Sequence, residues 1–126
     1  MANEIRAIRK QSELKIILDE FRAVNGVKAV ALVGRDGFVI ESMTNSEIDL
    51  EALGAMVATA IGTSESLGRE FSLGGMEQYL AEFKEGKILM GAVQTEILAI
   101  VTSAEAVVGA VRYAMRKNIP FINKVM

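Results

Sequence analysis

The spacing of apolar residues changes along this chain, and each change marks an element. The longest regular stretch is residues 50–71, LEALGAMVATAIGTSESLGREF. At helical period Leu50, Leu53, Val57, Ala60, Ile61, Leu67 and Phe71 fall on one stripe, which predicts the buried side of a long helix. About half a turn away stand Ala52, Ala55, Thr59, Gly62, Thr63 and Ser66. The middle of that face has no charge and no long side chain, where an ordinary surface helix would carry Lys and Glu. A glycine inside a helix costs about 1 kcal/mol relative to Ala. Small side chains let a second backbone approach closely, which offsets that cost. This second face is therefore expected to meet another part of the chain or a second copy of it.

Ahead of that stretch, residues 1–24 read as helix, with Leu14, Ile17, Leu18, Phe21 and Val24 on one face. Ile5 and Ile8 lie nearly opposite them. The phase break predicts Ser12 as a cap with Glu13 in the first turn, and residues 1–11 as a solvated N-terminal extension carrying Arg6, Arg9 and Lys10. Asn25-Gly26 should end the helix. Residues 27–33 and 38–42, joined by Gly-Arg-Asp-Gly, predict strand, tight turn and strand. The first is apolar on both faces and should be covered on both, whereas the second carries Glu41 and suits an edge. The turn lacks the Lys-Ser/Thr of a phosphate-binding loop and has no helix directly after it, so it reads as a plain turn. Asp49 is placed to cap the long helix, either alone or in a capping-box variant with Ser46.

After the long helix, residues 76–84, 87–94 and 97–103 form an antiparallel meander with two short turns. The last two of these strands are apolar on both faces and should be central. The first carries Glu77, Gln78, Glu82 and Lys84 and should be an edge. Its Met76, Tyr79, Leu80 and Phe83 are too apolar for a solvated edge, a combination found where an edge pairs with another chain. Thr102 and Glu105 have capping-box spacing before a last helix over 104–117, with Val107, Val108, Val111 and Met115 buried. Asn118 and Pro120 should stop that helix, leaving a tail over 118–126 apolar enough to pack down.

Composition narrows the chemistry. A chain of 126 residues, 51% hydrophobic and 24% charged, suits a single globular domain over 1–126. A net charge of −2 gives no electrostatic reason to expect nucleic acid or membrane as partner. With no signal-peptide core and no long apolar run, a cytoplasmic location is expected. The absence of His and Cys removes imidazole acid–base catalysis, thiolate nucleophiles and the usual zinc ligands. No D-x-D-x-D-G calcium loop is present, and Asp36, Glu41 and Asp49 are scattered over different elements. No catalytic, cofactor or metal site is therefore expected.

The fold expected is α/β of the α+β type: a five-stranded antiparallel sheet with helices on both faces, in the order αββαβββα. That order resembles the Roadblock (dynein light chain) family, and so do four local features. These are Asn-Gly-Val after the first helix, the VGRDGFVI hairpin, the small-residue helix and the LGGMEQYL strand. The resemblance spans roughly residues 12–117. It implies a Roadblock/profilin-like fold and a homodimer, or a heterodimer with a paralogue. In such a dimer the third strands pair across the axis and the long helices lie side by side. The implied dimer interface is Ala52, Ala55, Thr59, Gly62, Thr63, Ser66, Gln78, Leu80 and Glu82. It further implies a non-enzymatic, prokaryotic stand-alone member of MglB-like type, partnering a small Ras-like GTPase. The long C-terminal extension of MglB-type proteins has no counterpart here. A ligand-sensing or structural adaptor module is the alternative, and a small enzyme is disfavoured by the missing nucleophiles. For GTPase activation, Arg35 in the hairpin and Arg69 late in the long helix are the only arginines with eligible positions. Arg35 is expected to be solvated and Arg69 to pair with Glu65, so activation without an inserted arginine is expected.

Overall fold

A computed structural model describes all residues, Met1–Met126. The chain runs α1 (Ala2–Asp19), a short 3-10 turn (Glu20–Ala23), β1 (Val27–Val33), β2 (Val39–Thr44), α2 (Leu50–Glu70), β3 (Gln78–Phe83), β4 (Gly86–Val93), β5 (Glu96–Ser103) and α3 (Val108–Val125). The five strands form one antiparallel sheet in the order β2-β1-β5-β4-β3. The expected fold class and element order are those observed. β1 and β5 lie at the centre, and β2 and β3 are the two edges.

The two faces of the sheet differ in side-chain size, and that difference sorts the helices. On one face Val30, Leu32, Leu98 and Ile100 meet Leu14, Leu18 and Phe21 of the N-terminal helical segment and Val111, Met115 and Ile122 of α3. On the other, Ala31 stands opposite Ala99, and Val57 and Ile61 of α2 pack over this small pair with Val33, Met90 and Ile97. Alternation along the central strands places bulky residues under two helices and the small Ala31–Ala99 pair under the single helix α2.

Four boundary expectations are corrected. α1 is continuous from Ala2, and Ser12 is an exposed mid-helix residue that caps nothing. No Gly or Pro interrupts residues 2–19, so helix propensity carries α1 through the phase break. Thr102 and Glu105 form no capping box. Thr102 and Ser103 pair with Lys87 and Gly86, which holds them in the sheet, and α3 begins only at Val108. Asn118 and Pro120 do not stop α3. The buried Asn118 side chain donates to the Ala114 carbonyl one turn back (2.9 Å), and Pro120 is on the exposed side. Burial of Ile122, with Val125 and Met126 packed beside it, offsets the hydrogen bond that Pro120 cannot donate.

The fourth correction concerns the core stripe of α2. Val57 and Ile61 are buried, but Leu67 is 53% exposed and Phe71 65%. A 21-residue helix is about 31 Å long, whereas an eight-residue strand spans about 26 Å. The last turns of α2 pass the rim of the sheet, where only the connection to β3 lies against them and leaves Leu67 and Phe71 largely exposed.

Candidate protein interface

α2 is fixed at its start and along one flank. The Asp49 side chain accepts from the Ala52 amide (3.0 Å), which caps the helix as expected. Gly54 lies directly on the β1–β2 turn, where a methyl group would fall far inside contact with the Gly37 carbonyl oxygen. Gly37 itself has φ +91°, a left-handed conformation suited to glycine. Arg35, from the same turn, pairs with Glu65 of α2 and donates from Nε to the Thr95 carbonyl (2.8 Å). Glu65 thus pairs with Arg35 and not, as expected, with Arg69, whose guanidinium instead donates to the Ser66 hydroxyl (3.2 Å). Arg35 ties hairpin, helix and the β4–β5 turn together instead of standing free in solvent.

With that flank held toward β2, helical phase turns the opposite flank, Met56, Thr63 and Leu67, toward β4 and β3. Here the sheet is only partly covered. Five strands span about 19 Å from edge to edge, and one helix about 10 Å. α2 sits over β1, β2 and β5. Met76, Tyr79 and Ile88 are only half-buried beside it, and Phe83 at the end of β3 is exposed. Leu67 and Met76 line one shallow depression between α2 and the start of β3.

The expected interface residues are distributed as follows. Ala55, Thr59, Gly62, Thr63 and Ser66 lie on the outer face of α2 and are exposed, and Ala52 is half-buried. Thr59, Thr63 and Ser66 turn their hydroxyls inward, donating to the carbonyls of Ala55, Thr59 and Gly62 (2.9–3.0 Å). The polar atoms are satisfied within the helix, and methyl, methylene and Cα groups face outward. Apart from the backbone of its own helix turn, a Cβ at Gly62 would have no atom within 4 Å. On β3, Phe83 and Gly86 flank a two-residue turn, so Tyr79, Ala81 and Phe83 take the positions bonded to β4. The N–H and C=O of Gln78, Leu80 and Glu82 then point away from the sheet. The Leu80 side chain packs against the α1–α3 core, so this residue offers its backbone alone at the edge.

Sequence reasoning missed Met56, Leu67 and Phe71 as surface residues. Met56 and Leu67 are eleven positions apart, a spacing that returns to one side of a helix, which was a usable signal. Asp36 accepts from the Phe38 amide within its own turn, and no three carboxylates converge on one point.

A 2-1-5-4-3 antiparallel sheet with two helices on one face and one on the other defines the architectural class. The family follows from the chain itself. The model of the Roadblock/LC7 domain matches residues 13–102, and the chain belongs to that family. An uncharacterized protein of Methanocaldococcus jannaschii is 36% identical over 107 residues, covering 85% of this chain and 91% of that protein. Among solved structures, Myxococcus xanthus MglB superposes with a TM-score of 0.84 at 20% identity, over 90% of this chain and 87% of its own. Acanthamoeba castellanii profilin IA superposes with a TM-score of 0.60 at 14% identity, over 90% and 96%. These two likenesses establish the Roadblock and profilin-like fold.

Proposed function

We propose that two copies of this chain pair through β3 and the outer face of α2, and that the dimer is a non-catalytic regulator or scaffold for a small Ras-like GTPase. The observation that carries the pairing is the half-covered sheet face. It adjoins a helix of small side chains and an edge strand with outward backbone groups at Gln78, Leu80 and Glu82. A second α2 beside the first would cover the exposed flank of Met56 and Leu67, and a second β3 would continue the sheet. Membership of the Roadblock/LC7 family and the shape shared with MglB support the GTPase as partner.

In this reading the dimer acts on the GTPase by repositioning the GTPase's own switch segments. Arg35 is occupied by Glu65 and Thr95, and Arg69 rests on Ser66, so neither is presented as a free finger. The test is affinity capture with the purified protein from native-host extract, loaded with GDP or a non-hydrolysable GTP analogue. Mass spectrometry should identify a small GTPase enriched in one nucleotide state. Capture of no GTPase in either state would refute the partner, and a monomer mass by light scattering would refute the dimer.

A further inference from the structure

The first half of α1 has no partner in this chain. Residues 1–9 are exposed on every side, and Ile8 is 64% exposed. The second half of α1 packs antiparallel beside α3, with Glu13, Ile16, Ile17 and Glu20 along a groove from Lys117, Phe121, Lys124 and Val125. α3 ends at Val125 near Glu13, so the first turns of α1 project about 13 Å past the body. On this helix Ile5, Ile8, Ser12 and Ile16 are spaced 3, 4 and 4, which makes one straight stripe opposite the buried Leu14 and Leu18.

We infer that a second copy of this chain occupies this face, its α1 lying antiparallel on α1. The charges select that arrangement. Arg6 and Arg9 flank the stripe in the first half of the helix, and Glu13 flanks it on the same side in the second half, with Glu20 just past the helix end. The ion pairs within the chain are Arg22–Asp19 and Arg35–Glu65, which leaves these four without a partner. In an antiparallel pair, the partner copy's Ile16 faces Ile5 and its Ser12 faces Ile8. Its Glu13 then falls between Arg6 and Arg9, and each contact is repeated by two-fold symmetry. A parallel pair would carry the flank of Arg6, Arg9 and Glu13 to opposite sides of the seam in the two copies, so none of these charges could pair with its opposite there. The partner copy's Ile5 also reaches the groove beside Ile16, where Phe121 is 52% exposed. A membrane surface fits less well, because Glu4 and Glu13 lie along the same helix as the basic residues.

This face is on the opposite side of the sheet from α2, so both contacts can form at once, giving assemblies of four or more copies. The experiment is sedimentation of the full chain from micromolar to sub-millimolar concentration, with circular dichroism to verify helix content. Wild type should exceed two copies. Arg9→Glu and Glu13→Arg should each weaken that association at least about tenfold, because each pair occurs twice. The double variant R9E/E13R should restore it, and Ile8→Asp should abolish it. Adding Gly62→Leu removes the α2 contact and leaves a two-copy species that Arg9→Glu converts to monomer. That background separates failure of this contact from failure of the α2 pairing. Wild type that never exceeds two copies, or a charge swap that fails to restore, overturns the inference. So does Ile8→Asp losing binding to anionic phospholipid vesicles while its mass stays that of wild type.

Discussion

Gly62 offers a substitution whose sign depends on whether α2 is paired. Apart from the backbone of its own helix turn, no atom of this chain lies within 4 Å of the position its Cβ would take. In an isolated copy, Gly62→Ala should therefore gain about 1 kcal/mol of helix propensity. For a chain of this length that raises the unfolding midpoint by about 4 °C. Gly62→Leu should do nearly the same, since Leu is also a strong helix former. In the paired state the effect reverses. Helices packed through small residues approach to about 8 Å, and larger side chains hold them near 10 Å. The edge strands in the same interface need a spacing of about 4.8 Å. A lift of about 2 Å carries their hydrogen bonds from about 2.9 Å past any bonding distance. Gly62→Leu should weaken the dimer at least about a hundredfold, which is about 2.7 kcal/mol. Sedimentation equilibrium gives the dissociation constant, and thermal unfolding at two protein concentrations separates the intrinsic gain from the lost association. Gly62→Leu should melt higher than wild type when dilute and lose the part of wild type's concentration dependence that the α2 contact supplies. A Gly62→Leu variant that dimerises like wild type refutes the pairing through this face.

Gly54→Ala is the counterpart, because its methyl would collide with the Gly37 carbonyl. It should cost about 1–3 kcal/mol at every concentration, read as a drop in the denaturation midpoint. Ser72 sits left-handed (φ 56°) just past α2, where Ser72 and Leu73 donate to the carbonyls of Arg69 and Gly68. Ser72→Gly should relieve that conformation and stabilise the fold by about 0.5 kcal/mol in urea titrations. Arg35→Ala removes a partly buried ion pair together with the hydrogen bond to the Thr95 carbonyl and should cost about 1–2 kcal/mol. With the GTPase in hand, Arg35→Ala and Arg69→Ala should each leave stimulated hydrolysis within a few-fold of wild type. A loss of about a thousandfold with binding intact would mark an arginine finger.

Element order, the three hairpins, the two edge strands and the Asp49 cap were legible in the sequence because each rests on local pattern. The helix ends were less so. Thr102 and Glu105 have the spacing of a capping box, yet the pairing of Thr102 with Lys87 is a long-range constraint that outranks it. Pro120 reads as a stop, but the burial of Ile122 two residues later decides otherwise. On α2, the absence of charge at Thr59, Gly62 and Ser66 is legible in the sequence, and all three are exposed in the single chain. Periodicity placed Leu67 and Phe71 on the core stripe because it reports which residues share a side, not how far the sheet extends beneath them. Glu65 was assigned to Arg69, its helical neighbour, because its actual partner Arg35 arrives only through the fold.

The unequal faces of the sheet bear on why the protein would self-associate at all. Bulky Val30, Leu32, Leu98 and Ile100 are sealed by two helices, so that face is complete within one copy. The Ala31–Ala99 face has one helix, and that helix is drawn to β2 by Gly54 on Gly37 and Glu65 on Arg35. Those contacts hold α2 off centre and keep the β3–β4 half open. Centring α2 would cover Tyr79 and Ile88, but it would pull Gly54 off the turn and leave the β2 side bare. A single helix cannot close this face from either position. Closure needs a second helix, and the chain has already placed α1 and α3 on the other side. In the proposed dimer the missing layer comes from the second copy, and the outward small face of α2 suits a helix approaching closely, with no large side chain at the crossing.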